Sequence, residues 1–323
     1  MSMDELLRLP KVDLHCHLDG SLSREFVQDI LGTEVSDAQL MAEPDCSSLV
    51  EYLEKFDLPL RCMQTEEHLE AAAYDLIRTA AADHVIYIET RFAPLCSMEN
   101  GLTVGQIIEA VLRGLKEGEQ DFGVKSNIIA CAMRHHSKEQ NLMLLHEIAP
   151  YVGKGVCAAD LAGDEASFPA SGFAYFTEEA AKLSIPLTLH AGETGNAQNI
   201  IDSVKLGALR VGHGIAMNHH PEIIELCREK KIGIEMCPIS NMQTHASTLE
   251  DYPFRKFLEE GLVVTINTDN RTVSGTSVTK ELRFLRDHFQ ITDEEIRKVT
   301  ENAINVSFAD EETKEQLRAK LER

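Results

Sequence analysis

The stretch Lys11-Val12-Asp13-Leu14-His15-Cys16-His17-Leu18-Asp19-Gly20 decides the fold. Read as a β-strand it alternates, with Asp13, His15 and His17 on one face and Val12, Leu14 and Cys16 on the other. The apolar face needs a covering layer, so two imidazoles and a carboxylate are expected to point into an enclosed space. Two histidines one residue apart on a strand converge on one point, and neutral imidazole nitrogen is a common ligand for zinc, copper, iron and nickel. A pair of buried histidines held by hydrogen bonds would account for the same stretch, so the residues downstream must decide.

Downstream of the turn Asp19-Gly20-Ser21 a long run of helical pattern precedes the next strand, which reads as an insertion over one end of the fold. Within it Ser48-Leu49-Val50-Glu51 is a capping-box signature, followed by Tyr52, Leu53 and Phe56 on the same face as Leu49 until Pro59 stops the helix. That face is expected to roof a pocket. From residue 66 helices and strands alternate. Strands are predicted at 85–92, 126–133, 155–161, 187–190, 209–213, 232–236 and 263–269, with helices at 66–83, 103–121, 138–151, 171–183, 197–206, 221–231 and 253–260 between them. Strands separated by helices pair in parallel through right-handed crossovers, and eight such units close into a (β/α)8 TIM barrel of α/β class. Helices near 277–289, 292–305 and 310–321 fit an outer C-terminal layer. The whole chain, 1–323, is expected to form one domain.

Hydrophobic content of 43% and charged content of 26% suit a globular protein with a large core. Lys plus Arg total 31 against 53 Asp plus Glu, a net charge of -22, which argues against nucleic acid or an anionic membrane surface as partner. A small, uncharged or cationic substrate is easier to reconcile with that field. The N-terminus lacks a basic region followed by an apolar run, and no stretch approaches ~18 apolar residues, so a cytoplasmic location is expected. The eight cysteines show no C-x-x-C pairing and read as reduced, mostly buried small hydrophobes.

In such a barrel the active site lies at the C-terminal ends of the strands. Those ends read His15 and His17 on the first strand, His190 on the fifth, His213 on the sixth and Asp269 on the eighth. Thr188, Thr265 and Asn267 add a polar lining where most barrels carry branched aliphatics. Imidazoles and a carboxylate without a thiolate favour zinc. A lysine able to bridge two metals is missing from Ala158-Ala159-Asp160-Leu161, and Lys154 sits at the wrong end, so one metal per chain is expected. Glu193 follows His190 by three residues, beside Gly192, and is placed to act as general acid and base. His213 is either a further ligand or a base that polarises the water. His135, His136, His219, His220 and His245 are expected outside the converging set, at surface or structural positions.

Five segments, Val12 to Gly20, Asp160-Leu161-Ala162-Gly163-Asp164-Glu165, His190-Ala191-Gly192-Glu193, Val211-Gly212-His213-Gly214 and Asn267-Thr268-Asp269-Asn270, in this order and spacing resemble the adenosine deaminase family of the amidohydrolase barrels. The resemblance implies that His15, His17, His190 and Asp269 bind one Zn2+. It implies further that Glu193 gives a proton to purine N1, and that His213 orients the hydroxide attacking C6, with Asp269 as its second partner. Adenosine would become inosine, and 2′-deoxyadenosine deoxyinosine, with release of ammonia. Asp19 resembles the residue that accepts from the ribose 5′ hydroxyl, and Gly163 the one whose N–H meets N3; His17 and Phe56 would also face the substrate. Two positions depart from the family pattern. Asn270 stands where a second aspartate usually contacts N7, a change compatible with purine because an amide NH2 donates to that acceptor. Ala93 stands where some relatives carry serine. The nearest rival is an adenine or modified-adenosine deaminase; adenine deaminases tend to carry aspartate at the position of Gly212, so Gly212 together with Asp19 points to a nucleoside. A two-metal amidohydrolase would need two ions, and a nucleoside-binding barrel without catalysis would not need Glu193. The deaminases built on P-C-x-x-C are excluded, because that motif does not occur.

Overall fold

The computed structural model describes residues 3–43, 46, 51–52 and 54–322. Its strands are β1 (Lys11–His17), β2 (Val85–Phe92), β3 (Lys125–Met133), β4 (Val156–Ala162), β5 (Thr188–Ala191), β6 (Arg210–His213), β7 (Gly233–Met236) and β8 (Val263–Ile266). All pair in parallel, β1 to β4 in one sheet and β5 to β8 in a second, each in chain order. Single parallel bridges join the sheets at both seams, Ala159 with Leu187 and Cys16 with Asp269. The second seam is held by His17 N–H to Asp269 O and Asp269 N–H to His15 O, both 2.7 Å. Backbone of the expected metal ligands therefore brings the last strand back to the first.

Several helices begin where their sequences supply caps. Thr103 with Gln106, Ser137 with Gln140 and Thr292 with Glu295 form capping boxes that satisfy the free N–H groups of the first turn. Helices Glu66–Ala82, Val104–Phe122 and Lys138–Ile148 bury apolar faces against the outer side of the strands. At the C-terminus Asp293–Val306 and Glu311–Leu321 enclose a separate apolar cluster with Val12, Leu14 and Tyr87. These are the outer helices expected there. The interior of the ring is different: Glu89, Arg91, Asp160, Arg210 and Glu235 are fully buried inside it. Among the described residues no helix is long and apolar enough to cross a membrane.

Two expectations need correction. Asp13 does not share the inner face with His15 and His17. Between Asp13 and Cys16 the register slips, Asp13 facing Ile88 and Cys16 facing Thr90, so three steps on β1 match two on β2. Such a bulge turns a side chain to the other face. The Asp13 carboxylate accepts instead from Thr268 N–H (3.2 Å) and Thr268 Oγ1 (2.6 Å). Strand β8 also stops at Ile266, short of Asp269. Asn267 N–H still bonds Met236 O on β7, but Asp269 has turned to β1 with left-handed backbone, φ 58°.

The insertion after β1 holds Arg24–Leu31, Asp37–Leu40, a 3-10 turn Glu54–Phe56 and Asp57–Arg61 before the long helix. Of the expected capping-box helix, Ser48, Leu49, Val50 and Leu53 lie outside the described residues. Tyr52 and Phe56 pack with Ala42, Cys46 and Val273. Seven of the eight cysteines are buried, Cys96 being half-buried.

Candidate metal centre and cavity

The strand ends converge as their positions in the ring require. One ligand atom each from His15, His190, His213 and Asp269 lies within 4.8 Å of the others. His17 Nε2 joins them, 3.3 Å from His190 Nε2 and 3.4 Å from Asp269 Oδ1, and His15 Nε2 is 3.4 Å from the same oxygen. Ligands about 2.0–2.1 Å from a tetrahedral zinc stand roughly 3.3–3.4 Å apart, so these separations fit such an ion. The fit has a second sign. His15 Nε2 is buried with no hydrogen-bond partner, a costly state for a polar atom unless something binds it. Burial pushes the His17 imidazole well below its usual range, leaving a neutral nitrogen with a lone pair. Burial alone would push Asp269 up, but its neighbours His15, His213 and His17 hold it well below the usual carboxylate range.

Behind these histidines stands a layer that the sequence reading missed. His15 Nδ1 lies 2.9 Å from Glu235 Oε2, and His190 Nδ1 lies 2.8 Å from Asp160 Oδ2. Burial opposes the charge on Glu235, but Arg91 and Arg210 outweigh it and keep the group well below the usual range. A carboxylate can only accept, so the hydrogen bond from His15 puts that proton on Nδ1 and turns its Nε2 lone pair to the centre, while His190 Nδ1 lies close to Asp160 without a hydrogen bond. His213 is built the other way. Its Nδ1 faces Asn241 Nδ2 at 2.9 Å, while the Tyr252 hydroxyl donates to Asn241 Oδ1 at 3.4 Å. With that amide orientation the hydrogen-bond network assigns the His213 proton to Nε2, which is 3.6 Å from Glu193 Oε2. Proximity alone would admit His213 to the ligand set; its hydrogen bonds suit a donor.

Glu193 is presented by a clamped loop. The buried Glu165 carboxylate accepts from Gly192 N–H (2.8 Å) and Thr194 N–H (2.6 Å), one on each side of Glu193. Arg134 Nη2 donates to His190 O at 2.7 Å at the start of the same loop. Gly192 adopts φ 78°, and a Cβ there would fall 2.5 Å from Ile200 Cδ1, so the tight approach expected of this glycine is present.

Above this cluster lies a cavity of about 440 Å³. Every expected site residue except His15, which sits beneath, lines it: His17, Asp19, Phe56, Gly163, His190, Glu193, His213, Asp269 and Asn270. Burial pushes the Asp19 carboxyl up to about 7. Asn270 Nδ2 donates to the Tyr52 hydroxyl at 2.9 Å, and that hydroxyl is 2.7 Å from Ser274 Oγ, so the amide is tied to the insertion. Asn270 also packs on Gly20, where a Cβ would fall 1.9 Å from Oδ1. Ala93 lines the cavity as well, and so does His135, which was expected outside the converging set. The strand end that carries it opens into the same space. His219 pairs with Asp251 and His220 with Glu222 at the surface, and His245 Nε2 bonds Cys46 O.

Arg91, Asp160, Arg210, Glu235 and Glu165 escaped the sequence reading, although a signal was available. Glu89 and Arg91 in Ile88-Glu89-Thr90-Arg91-Phe92, and Glu235 in Gly233-Ile234-Glu235-Met236, put charge on the inner parity of otherwise apolar strands.

The chain is similar to several known proteins. It is 46% identical to an adenosine deaminase of Enterococcus faecalis, over 100% of this chain and 98% of that protein. It is 42% identical to an adenosine deaminase of Clostridium botulinum, over 97% of each. Among solved structures, an adenine deaminase from Arthrobacter aurescens superposes with a TM-score of 0.88 at 24% identity, covering 97% of this chain and 98% of that one. An amidohydrolase from Burkhoderia ambifaria with bound Zn superposes at 0.89 and 22%, covering 98% of this chain and 90% of that one. Both likenesses are of fold. The family model for adenosine deaminase matches residues 10–323, and with relatives this similar along nearly the whole length, the chain belongs to the adenosine deaminase family.

Proposed function

We propose that the chain, acting in the cytoplasm as one domain over residues 1–323, is a zinc enzyme that hydrolyses adenosine and 2′-deoxyadenosine to inosine and deoxyinosine with release of ammonia. The observation that carries this reading is the meeting of Glu193 with the histidine and aspartate ligands on the floor of one cavity. One Zn2+ held by His15, His17, His190 and Asp269 would lower the pKa of a coordinated water and supply a hydroxide nucleophile near neutral pH. Glu193 gives its proton to purine N1, which makes C6 electron-poor. His213 donates a hydrogen bond from Nε2 toward the attacking oxygen, and Asp269 takes the proton of that oxygen and passes it to the departing amine, which leaves as ammonia while C6 becomes a carbonyl carbon. Asp19, at the cavity wall, accepts from the ribose 5′ hydroxyl, Gly163 N–H meets N3, Asn270 meets N7, and Phe56 closes the purine face.

The nature of the cavity wall supports a nucleoside. Among the described residues no lysine or arginine lines it, while Asp19, Asp57 and Asp164 do. A 5′-phosphate would meet carboxylates there instead of the cations that phosphates require. The test is ammonia release from adenosine, 2′-deoxyadenosine, adenine and adenosine monophosphate by zinc-loaded protein. The first two are expected to be the best substrates, and a preference for adenine would move the assignment to the free base. Glu193→Gln is expected to keep metal and a ground-state purine ligand yet lose about 10² to 10⁴-fold in turnover. Full activity in that variant would remove Glu193 from the proton-donor role.

A further inference from the structure

The two carboxylates that orient His15 and His190 are themselves joined by a single side chain. Arg91, on β2 and fully buried, donates from Nη1 to Asp160 Oδ2 at 2.9 Å and from Nη2 to Glu235 Oε2 at 2.8 Å. These are the same two oxygens that face His190 Nδ1 and His15 Nδ1. Nη2 also donates to Leu14 O at 2.6 Å, on the residue before His15. The fork therefore spans β1, β4 and β7, and through them holds ligands that belong to different sheets. His15 and His190 stand edge to face, centroids 4.5 Å apart.

We propose that Arg91 is a positioning residue of the metal centre, fixing the ring positions of His15 and His190 together through Glu235 and Asp160. The inference rests on the reading of this site as a metal centre. A planar guanidinium is suited to the task because its two terminal nitrogens are held at a fixed separation and angle. An ammonium carries the same charge without the fork, so it can serve one carboxylate well or two poorly. Arg210 provides the internal control. It touches Glu235 Oε1 at 2.6 Å and Glu89 Oε2 at 2.6 Å, has the same burial and charge, and contacts neither oxygen that faces a histidine.

The experiment compares the full chain with Arg91→Lys and Arg210→Lys. Zinc affinity is measured by competition with a chromophoric chelator, the visible absorption of the Co2+-loaded protein reports ligand geometry, and circular dichroism confirms folding. Arg91→Lys is expected to weaken zinc binding by about 10- to 100-fold and to shift the Co2+ bands, whereas Arg210→Lys leaves both in place. Glu235→Gln and Asp160→Asn keep side-chain shape and each release one histidine; each is expected to reproduce part of the loss, which keeps the test open if Arg91→Lys does not fold. Wild-type affinity and an unshifted spectrum in Arg91→Lys, or equal losses in both lysine variants, overturn the inference and leave the metal reading standing. Failure of the wild-type chain to bind zinc or Co2+ removes the metal reading itself.

Discussion

At Gly212 the missing side chain makes room for the His15 imidazole. A Cβ there would fall 2.9 Å from His15 Cε1 and 3.3 Å from His15 Nδ1, closer than packed atoms tolerate. Gly212→Ala is expected to push the imidazole off Glu235 and to weaken zinc binding by about 10- to 100-fold, read by chelator competition on protein whose circular dichroism is unchanged. Undiminished affinity would show that the ring moves without cost. The convergence of His15, His17, His190 and His213 was legible because each lies in the last residues of a strand, and position in a strand is written in local alternation. Asp13 was not, since a bulge is decided by how the neighbouring strand pairs. Nor were the partners of Arg91, which sit 69 and 144 positions away in the chain. A lone charge in an apolar strand reads the same whether it faces water or a counter-charge.

Elements were legible where their ends are local. The capping boxes at Thr103, Ser137 and Thr292 start helices within one or two residues of the expected positions. Strand β8 ended early for a non-local reason, its last residues leaving β7 for β1. Two elements carry predictions. The first is the loop held by Glu165: Glu165→Gln loses one of two accepting oxygens, frees the backbone beside Glu193, and is expected to lower kcat roughly tenfold to a hundredfold with bound zinc unchanged. Steady-state rates and a metal assay on the same sample decide it; an unaltered kcat means that the loop needs no clamp. The second is the helix Val278–Phe289, whose buried Glu281 accepts from Ile239 N–H at 2.9 Å and Thr276 Oγ1 at 2.6 Å. Burial pushes this carboxyl up to about 8 from the ordinary 4.5. The folded state therefore binds the proton more tightly than the unfolded one, so stability is fully present below about 4.5 and is lost as pH rises through about 8. Glu281→Gln is expected to flatten that slope and to be more stable at pH 9, by on the order of a few kcal/mol. Thermal unfolding at intervals from pH 5 to 9 tests this, and an equal slope in both proteins would place the pH dependence elsewhere.

At the scale of the molecule, the alternation of strands and helices was enough to predict the barrel, because parallel pairing and right-handed crossovers leave few other solutions. The charge inside it was hidden. Three buried carboxylates, Glu89, Asp160 and Glu235, face two guanidiniums, Arg91 and Arg210, and the buried Asp269 joins the same network through His15, which stands between it and Glu235. The balance is two negative charges in a low-dielectric interior, which a divalent cation would neutralise and which nothing else in that network offsets. Metal binding should then be coupled to the stability of the whole barrel. Chelation is expected to lower Tm by several degrees, and zinc added back at a thousand times its Kd to restore about 4 kcal/mol. Because the uncompensated charge is buried, this difference should survive high salt, whereas repulsion among the surface charges behind the net -22 is screened within about 10 Å at 0.1 M salt. Melting curves of chelated and zinc-loaded protein at low and high salt separate the two contributions. Equal Tm values with and without metal would mean that the network takes up protons to compensate, and that the ion is held by the site without being needed by the fold.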